Sequence, residues 1–129
     1  MEYLFLLYKD SSQPMTRHES DKAKTRQWSI LDDTAKQGIL RGAGPLESSA
    51  TAVCVRSEGG RMLTTDGPYA ETKEALGGYY VIDCRDLQDA KYWAGRMSQT
   101  GCADLVEIRQ LMPIPGRVEN AQAATLVNA

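Results

Sequence analysis

The sequence predicts an α+β fold in which two helices cover one face of an antiparallel sheet. Residues 3–8 and 79–84 are apolar at almost every position, as in strands from the middle of a sheet. Two longer stretches carry helix-start signals followed by apolar residues at helical spacing. Within 129 residues, enough for one domain, the order is strand, helix, strand, then a hairpin, then strand, helix, strand.

The first strand, residues 3–8, is apolar on both of its alternating faces. Thr16 and Glu19 have the form of a capping box, so a helix should begin here, run to about Gln37 and stop at Gly38. Its predicted apolar stripe consists of Ala23, Ile30, Leu31, Thr34 and Ala35.

The middle of the chain predicts an edge strand and a hairpin. The edge strand begins at Ile39 and ends in the glycine-rich segment 42–45, where the backbone can closely approach a neighbour or a ligand. Residues 50–56 and 61–65 are rich in β-formers and are joined by a short link with two glycines, which indicates a hairpin with one solvated face.

The last third of the chain repeats the strand–helix–strand order. Gly77-Gly78 opens the second central strand, and Asp86 marks a helix start. Residues 105–111 alternate as an edge strand should. We therefore expect a domain over residues 1–112 and a C-terminal tail over 113–129. The tail supports at most a weak helix at its residues 121–126.

Together these elements predict a ferredoxin-like sheet with an inserted hairpin. Two helices cover only one face of such a sheet, yet both central strands are apolar on the other face as well. Because soluble monomers rarely expose so large an apolar surface, we expect a homodimer in which two sheets pack face to face.

Composition excludes several classes of function. The formal net charge of −2 and the scattered Lys and Arg residues disfavour direct nucleic-acid binding. The apolar N-terminus is too short to span a membrane and lacks a signal-peptide pattern, so we expect a cytoplasmic protein. Cys54, Cys84 and Cys102 are widely spaced and suit buried free thiols better than a metal site, and no phosphate-binding loop motif is present. No cofactor or metal is predicted.

The candidate site residues follow the hairpin. The side chain of Asp66 either stabilises the Asp-Gly-Pro turn or faces a cleft as an acid or base. If Pro68 begins a helical turn, Tyr69 and Lys73 share one face and Glu71 points elsewhere. These three side chains are either solvated or form the polar rim of a ligand pocket.

His18 is the only histidine, and it lies near the start of the first predicted helix. The helix dipole disfavours the charged form of an imidazole there. A neutral imidazole is a usable base, and His18 is otherwise an ordinary exposed side chain.

Residues 66–74, DGPYAETKE, followed by 76–84, LGGYYVIDC, resemble the YCII-related proteins, in particular their DGPF-domain branch. The fourth motif residue, usually Phe, is Tyr69 here. The resemblance spans roughly residues 1–112 and implies a ferredoxin-like fold and a dimeric α-β barrel. YCII-like relatives carry a proposed His–Asp pair with the His on the first helix, and here the candidates are His18 and Asp66. Some DGPF relatives occur beside or fused to sigma factors.

Three functions remain open from the sequence. The first is a homodimer that binds a small molecule or acts in regulation, with a pocket where the Asp66 turn meets the first helix. The second is an enzyme that uses Asp66 as acid or base, with His18 or Tyr69, on a small cyclic or carbonyl-bearing substrate. The third is a partner module of sigma-factor transcription machinery.

Overall fold

The computed structural model describes residues 1–10 and 12–116. Within them lie two helices, and a 3-10 turn, Ser49–Thr51, precedes the third strand. The helices are α1 (Arg17–Lys36) and α2 (Leu87–Ser98), and the strands are β1 (Glu2–Asp10), β2 (Leu40–Pro45), β3 (Val53–Glu58), β4 (Arg61–Asp66), β5 (Glu74–Asp83) and β6 (Leu105–Gln110).

Four of the strands form an antiparallel sheet in the order β2-β5-β1-β6. β3 and β4 pair with each other as a separate two-stranded hairpin. When this hairpin is set aside, the order is that of a ferredoxin-like sheet, with the two predicted central strands in the middle and the two predicted edge strands outside. The predicted α+β, ferredoxin-like fold class is therefore confirmed, whereas the dimeric barrel stays a prediction.

The core lies between the sheet and the two helices. Phe5 on β1 pairs with Tyr80 on β5, and both side chains are buried on the helix-covered face. Phe5, Ile30, Ile82 and Met97 are almost completely inaccessible to solvent. Burying each of these side chains contributes about 1.5–3 kcal/mol, so this layer fixes the helices on the sheet.

The opposite face of the sheet carries no helix. Leu4 and Leu6 on β1 are half-buried there and pair with Val81 and Tyr79 on β5. Both central strands are thus apolar on both faces, as predicted. We call this uncovered side, formed around Leu4, Leu6, Tyr79 and Val81, the open face.

Both helices begin where the sequence predicts. The hydroxyl of Thr16 accepts from the Glu19 amide at 3.1 Å, and the Glu19 carboxylate completes the capping box. Asp86 caps α2 by accepting from the Asp89 amide at 2.8 Å. Ala35 was predicted to belong to the buried stripe of α1, but it is exposed because it lies one residue beyond Thr34, where the stripe ends.

No helical turn begins at Pro68, so the condition under which Tyr69 and Lys73 would share one face is not met. Gly67 has a φ of 101°, and residues 68–73 follow it as irregular chain. β5 begins at Glu74, earlier than predicted, so Gly77 and Gly78 lie inside the strand beside a register shift between Leu7 and Tyr8 of β1.

The C-terminal tail is described only as far as residue 116. Residues 111–116 carry no helix or strand. The weak helix considered for residues 121–126 lies outside the described residues, and the division into a domain and a tail stays a prediction.

Candidate functional site

A cavity of about 370 Å³ lies between the middle of α1, residues 20–31, and the β2–β5 edge of the sheet. The cavity lies here because the residues on the sheet side have small side chains or none. On the helix-covered face, Ala43 and Gly78 flank Tyr80 with small or absent side chains. A Cβ atom on Gly78 would lie 3.1 Å from the Gly44 carbonyl oxygen, so this wall is bare backbone. We call this space the α1 cavity.

The lining of the α1 cavity is mainly apolar and aromatic. Ligand pockets of about 300–1,000 Å³ with apolar walls and a few polar groups are usual for small molecules. The α1 cavity lies at the lower end of that range. The apolar and aromatic lining residues from the helix-covered side include Leu7, Met15, Ala23, Trp28, Leu31 and Tyr80.

Gln27 is the polar group that stands out in this wall. It lies on the inward face of α1, four residues after Ala23 and three before Ile30. Its side-chain nitrogen and oxygen are both buried, and neither has a hydrogen-bond partner among the described residues. A buried amide without partners costs free energy unless a bound molecule or water satisfies it.

The titratable side chains of the cavity are cationic or neutral. Lys9 and Lys24 line it, and no Asp or Glu is among the described lining residues. Lys9 also pairs with Asp104 at 3.3 Å, whereas Lys24 forms no ion pair with another described residue. The cavity therefore carries a local positive potential in a chain with a net charge of −2.

Tyr80 and Cys102 are held in their neutral forms. Burial raises the pKa of Tyr80 to about 12, and its hydroxyl donates to the Gln27 carbonyl oxygen at 3.1 Å. Burial also raises the pKa of the Cys102 thiol, against the opposing effects of a Thr100 hydrogen bond and the charges of Lys24 and Lys9. Near neutral pH, both residues are protonated.

The structure places the two predicted catalytic residues outside the described lining of this cavity. His18 is exposed in a shallow depression that also includes Asp21 and Arg26. Asp66 is exposed at the end of β4. No hydrogen bond or ion pair joins His18 to Asp66 among residues 1–10 and 12–116.

The other candidate residues lie beyond the hairpin. Tyr69 and Glu71 line a wide, open groove of about 880 Å³ between the 3-10 turn and the start of β5. The Tyr69 side chain is 87% exposed. Lys73 pairs with Asp10 at 3.5 Å and is not among the described lining of the groove. The structure therefore brings Tyr69 and Glu71 to one surface.

Sequence reasoning missed the residues of the α1 cavity, although two signals for it were present. Gln27 interrupts an otherwise apolar helical spacing formed with Ala23, Ile30 and Thr34. The segment 42–45 was expected to allow close approach of a ligand, and part of it lines the cavity. What the sequence alone did not show is that α1 crosses above this segment.

Two further observations bear on partners. Within the described part of the chain, no three His, Cys, Asp or Glu side chains come together as a metal site. Among those same residues, neither helix combines the length and the apolar character that crossing a bilayer requires.

The chain was compared with protein families and with known proteins. The family model described as the YCII-related domain matches residues 1–115. An uncharacterised protein of Rhizobium meliloti (strain 1021) is 31% identical over 100 residues, which cover 76% of this chain and 81% of the relative.

A solved structure has a similar fold. It is 5-chloro-2-hydroxyhydroquinone dehydrochlorinase (TftG) from Burkholderia phenoliruptrix AC1100, in complex with 2,5-dihydroxybenzoquinone. The TM-score is 0.53 at 9% sequence identity, and the match covers 88% of this chain and 95% of the other. At this identity the likeness concerns the α+β fold alone.

Proposed function

The chain belongs to the YCII-related family, and from this premise we propose that it binds a small organic molecule in the α1 cavity. The observation that carries the proposal is the α1 cavity itself, which has a volume of about 370 Å³ and a mainly apolar and aromatic lining. Beside it, the side-chain nitrogen and oxygen of Gln27 are buried without a hydrogen bond to a described residue. A protein that used this space only for packing would gain stability from an apolar residue at this position.

The size and lining of the cavity support the same function. Its volume of about 370 Å³ suits a molecule of one or two rings. Gly44 and Gly78 bring bare backbone to the cavity wall, and a Cβ atom on Gly78 would lie only 3.1 Å from the Gly44 carbonyl oxygen. The fold neighbour is a protein whose structure holds a small ring compound, and this is compatible with the proposal.

We propose further that the protein works as a homodimer of the DGPF type. The open face has an apolar centre around Leu4, Leu6 and Tyr79 with no helix over it. Arg109 and Glu107 of β6 flank this centre. On the hairpin, Val55 and Met62 are 61% and 74% exposed. Packing a second copy against these surfaces would remove them from water, which is the main driving force for such association.

An enzymatic role is the second candidate, favoured by the name of the fold neighbour, a dehydrochlorinase. In this hypothesis Asp66 acts as acid or base, helped by His18 or Tyr69, on a small cyclic or carbonyl-bearing substrate. Asp66→Asn separates the two hypotheses. If the variant folds and turns over a small ring substrate as fast as the wild type, acid–base catalysis by Asp66 is excluded.

Three other expectations remain predictions. A link to sigma-factor machinery follows only from the resemblance of residues 66–84 to DGPF-domain proteins. It would appear as co-purification of a sigma factor that is lost on changing exposed residues such as Tyr69. A regulatory role and a cytoplasmic location likewise rest on the sequence alone.

The binding proposal is tested by titrating the protein with neutral 2-naphthol and with 2-naphthoate. Trp28 lines the cavity, whereas Trp93 is buried elsewhere in the core, so Trp28 fluorescence reports on occupancy. We expect saturable quenching with one probe per chain, and loss of that signal in Trp28→Phe.

Ala43→Leu provides the matched cavity-filling variant, because Ala43 lines the cavity on the helix-covered face. Ala35→Leu makes the same chemical change at an exposed position of α1. Binding that is weakened by Ala43→Leu and not by Ala35→Leu supports the proposal. If neither probe shows binding that depends on Ala43, the proposal is wrong.

A further inference from the structure

One side of α1 forms the mouth of the α1 cavity and fixes where the charged end of a ligand would lie, an inference that rests on the proposed binding function. Ser20, Lys24 and Trp28 are spaced four residues apart on the helix, and all three line the cavity. Lys24 and Trp28 are exposed and Ser20 is half-buried, whereas Ala23 in the neighbouring row is buried. Lys24 therefore stands at the mouth, between solvent and the apolar interior.

A second ammonium group approaches the cavity from the sheet. Lys9 lies two residues after Leu7 on β1, so both side chains point to the helix-covered face, and both residues line the cavity. Lys9 pairs with Asp104 at 3.3 Å, which reduces its effect on a ligand. Lys24 forms no ion pair with any residue of 1–10 and 12–116. Lys24 is therefore the cation that a ligand would meet first.

The described lining of the cavity holds no carboxylate that would oppose this charge. No Asp or Glu belongs to it. Asp21 lies one helical turn before Lys24, but it lines the shallow depression beside His18 and not the cavity. Asp104 is already paired with Lys9. A negative group at the mouth would therefore be attracted by Lys24 without a protein carboxylate among its described neighbours in the lining.

The Cys102 thiol, which also lines the cavity, shows the sign of the electrostatic potential there. Burial raises the pKa of this thiol, whereas the charges of Lys24 and Lys9 both lower it. The two lysines thus stabilise negative charge at the same point of the lining. At Cys84, in the core, burial and nearby Asp carboxylates all raise the pKa of the thiol. The α1 cavity therefore differs from the core in favouring an anion.

We propose that the α1 cavity binds an organic anion whose apolar body fills the interior and whose carboxylate lies at the mouth beside Lys24. The mainly apolar lining disfavours a ligand that is charged along its whole length, because burying charges without partners costs free energy. An acid group at the mouth stays partly hydrated, so little desolvation opposes its ion pair with Lys24. Lys9 adds positive potential from the sheet side.

The test compares three probes that share a naphthalene body and differ in charge, by calorimetry at neutral pH and low salt. They are the anion 2-naphthoate, the neutral 2-naphthamide and the cation 2-naphthylmethylammonium. A partly exposed ion pair is worth about 2–5-fold in affinity. We therefore expect the anion to bind about 2–5-fold more tightly than the amide, and the amide to bind more tightly than the cation. High salt should reduce both differences.

Variants at Lys24 assign the preference to one residue. Lys24→Met should weaken binding of 2-naphthoate by about 2–5-fold and leave 2-naphthamide unchanged. Lys24→Glu should reverse the order, so that the cation binds more tightly than the anion. Lys, Met and Glu have similar helix propensities, so α1 should persist in each variant. Lys22→Met and Lys22→Glu are the matched controls, since Lys22 is an exposed lysine of α1 outside the described lining of the cavity, and the order of the three probes should stay unchanged.

The outcomes separate this inference from the function on which it rests. If Ala43→Leu weakens binding of the amide, but the anion has no advantage that Lys24→Met removes, the cavity binds small molecules and the anion assignment is wrong. The assignment also fails if the Lys22 variants change the relative affinities of the probes as much as the Lys24 variants do. If none of the three probes shows binding that depends on Ala43, the binding function itself is refuted.

Discussion

Replacing Gln27 by leucine should make the unliganded protein more stable. The side-chain nitrogen and oxygen of Gln27 are buried without partners among the described residues. Leaving a buried polar group unpaired costs about 1–3 kcal/mol, and an apolar side chain of similar size removes that cost. Gln and Leu have similar helix propensities, so α1 itself should not be affected.

The expected gain is about 1–3 kcal/mol in the free energy of unfolding. For a domain of this size, each kcal/mol added to the free energy of unfolding raises Tm by roughly 3–6 °C. Denaturant unfolding and differential scanning calorimetry, both without ligand, measure the two quantities. The hydrogen bond from Tyr80 is kept, since it uses the backbone carbonyl oxygen of residue 27.

Gln88→Leu is the matched control because Gln88 is exposed on α2. Its effect should stay within about 0.5 kcal/mol. The reasoning is refuted if Gln27→Leu is neutral or destabilising while Gln88→Leu is neutral, because the Gln27 amide would then be satisfied in the free protein.

Three other predictions concern assembly, acid stability and thiol reactivity. Sedimentation at micromolar concentration should show a dimer that Leu6→Glu on the open face dissociates, and a stable wild-type monomer would exclude that interface. The hydrogen bond from the Asp10 amide, 2.8 Å long, holds the pKa of the Asp104 carboxyl below its ordinary value. The stabilising effect of this hydrogen bond is therefore present above the unfolded-state pKa of about 4 and is lost as the pH falls through the folded-state pKa. Asp104→Asn should lower Tm at neutral pH and much less near pH 2. Burial raises the pKa of Cys84 to about 12, so a thiol reagent should label Cys54 well before Cys84, and equal rates would contradict this.

The fold could be predicted because its main elements are encoded locally. The alternation of β1 and the capping box at Thr16 and Glu19 each specify structure within a few residues. The pairing of β1 between β5 and β6 follows from the apolar character of the two central strands. The conformation of segment 66–73 was harder to predict from sequence, since the turn chemistry of Pro68 fits both a helical start and an irregular loop.

The candidate site was less accessible to sequence reasoning because it is built from distant segments. In the sequence, Gln27 is one polar residue of a predicted helix. Only the structure shows that α1 lies above Ala43 and Gly78. Asp66 and His18 were candidates because of sequence motif and residue type, and neither of these shows where a side chain points. Spacing could indicate that Gln27 faces inward, but only tertiary structure shows that the space opposite it is empty.

The central claim is that the α1 cavity is where the protein binds small molecules. Backbone amide chemical-shift mapping with 2-naphthol tests it most directly, because it locates the ligand without a mutation. We predict that the largest shifts fall at residues 20–31 of α1 and around Ala43 and Gly78. Shifts concentrated at residues 66–73, with those positions unchanged, would contradict the account and place the site at the Asp66 turn.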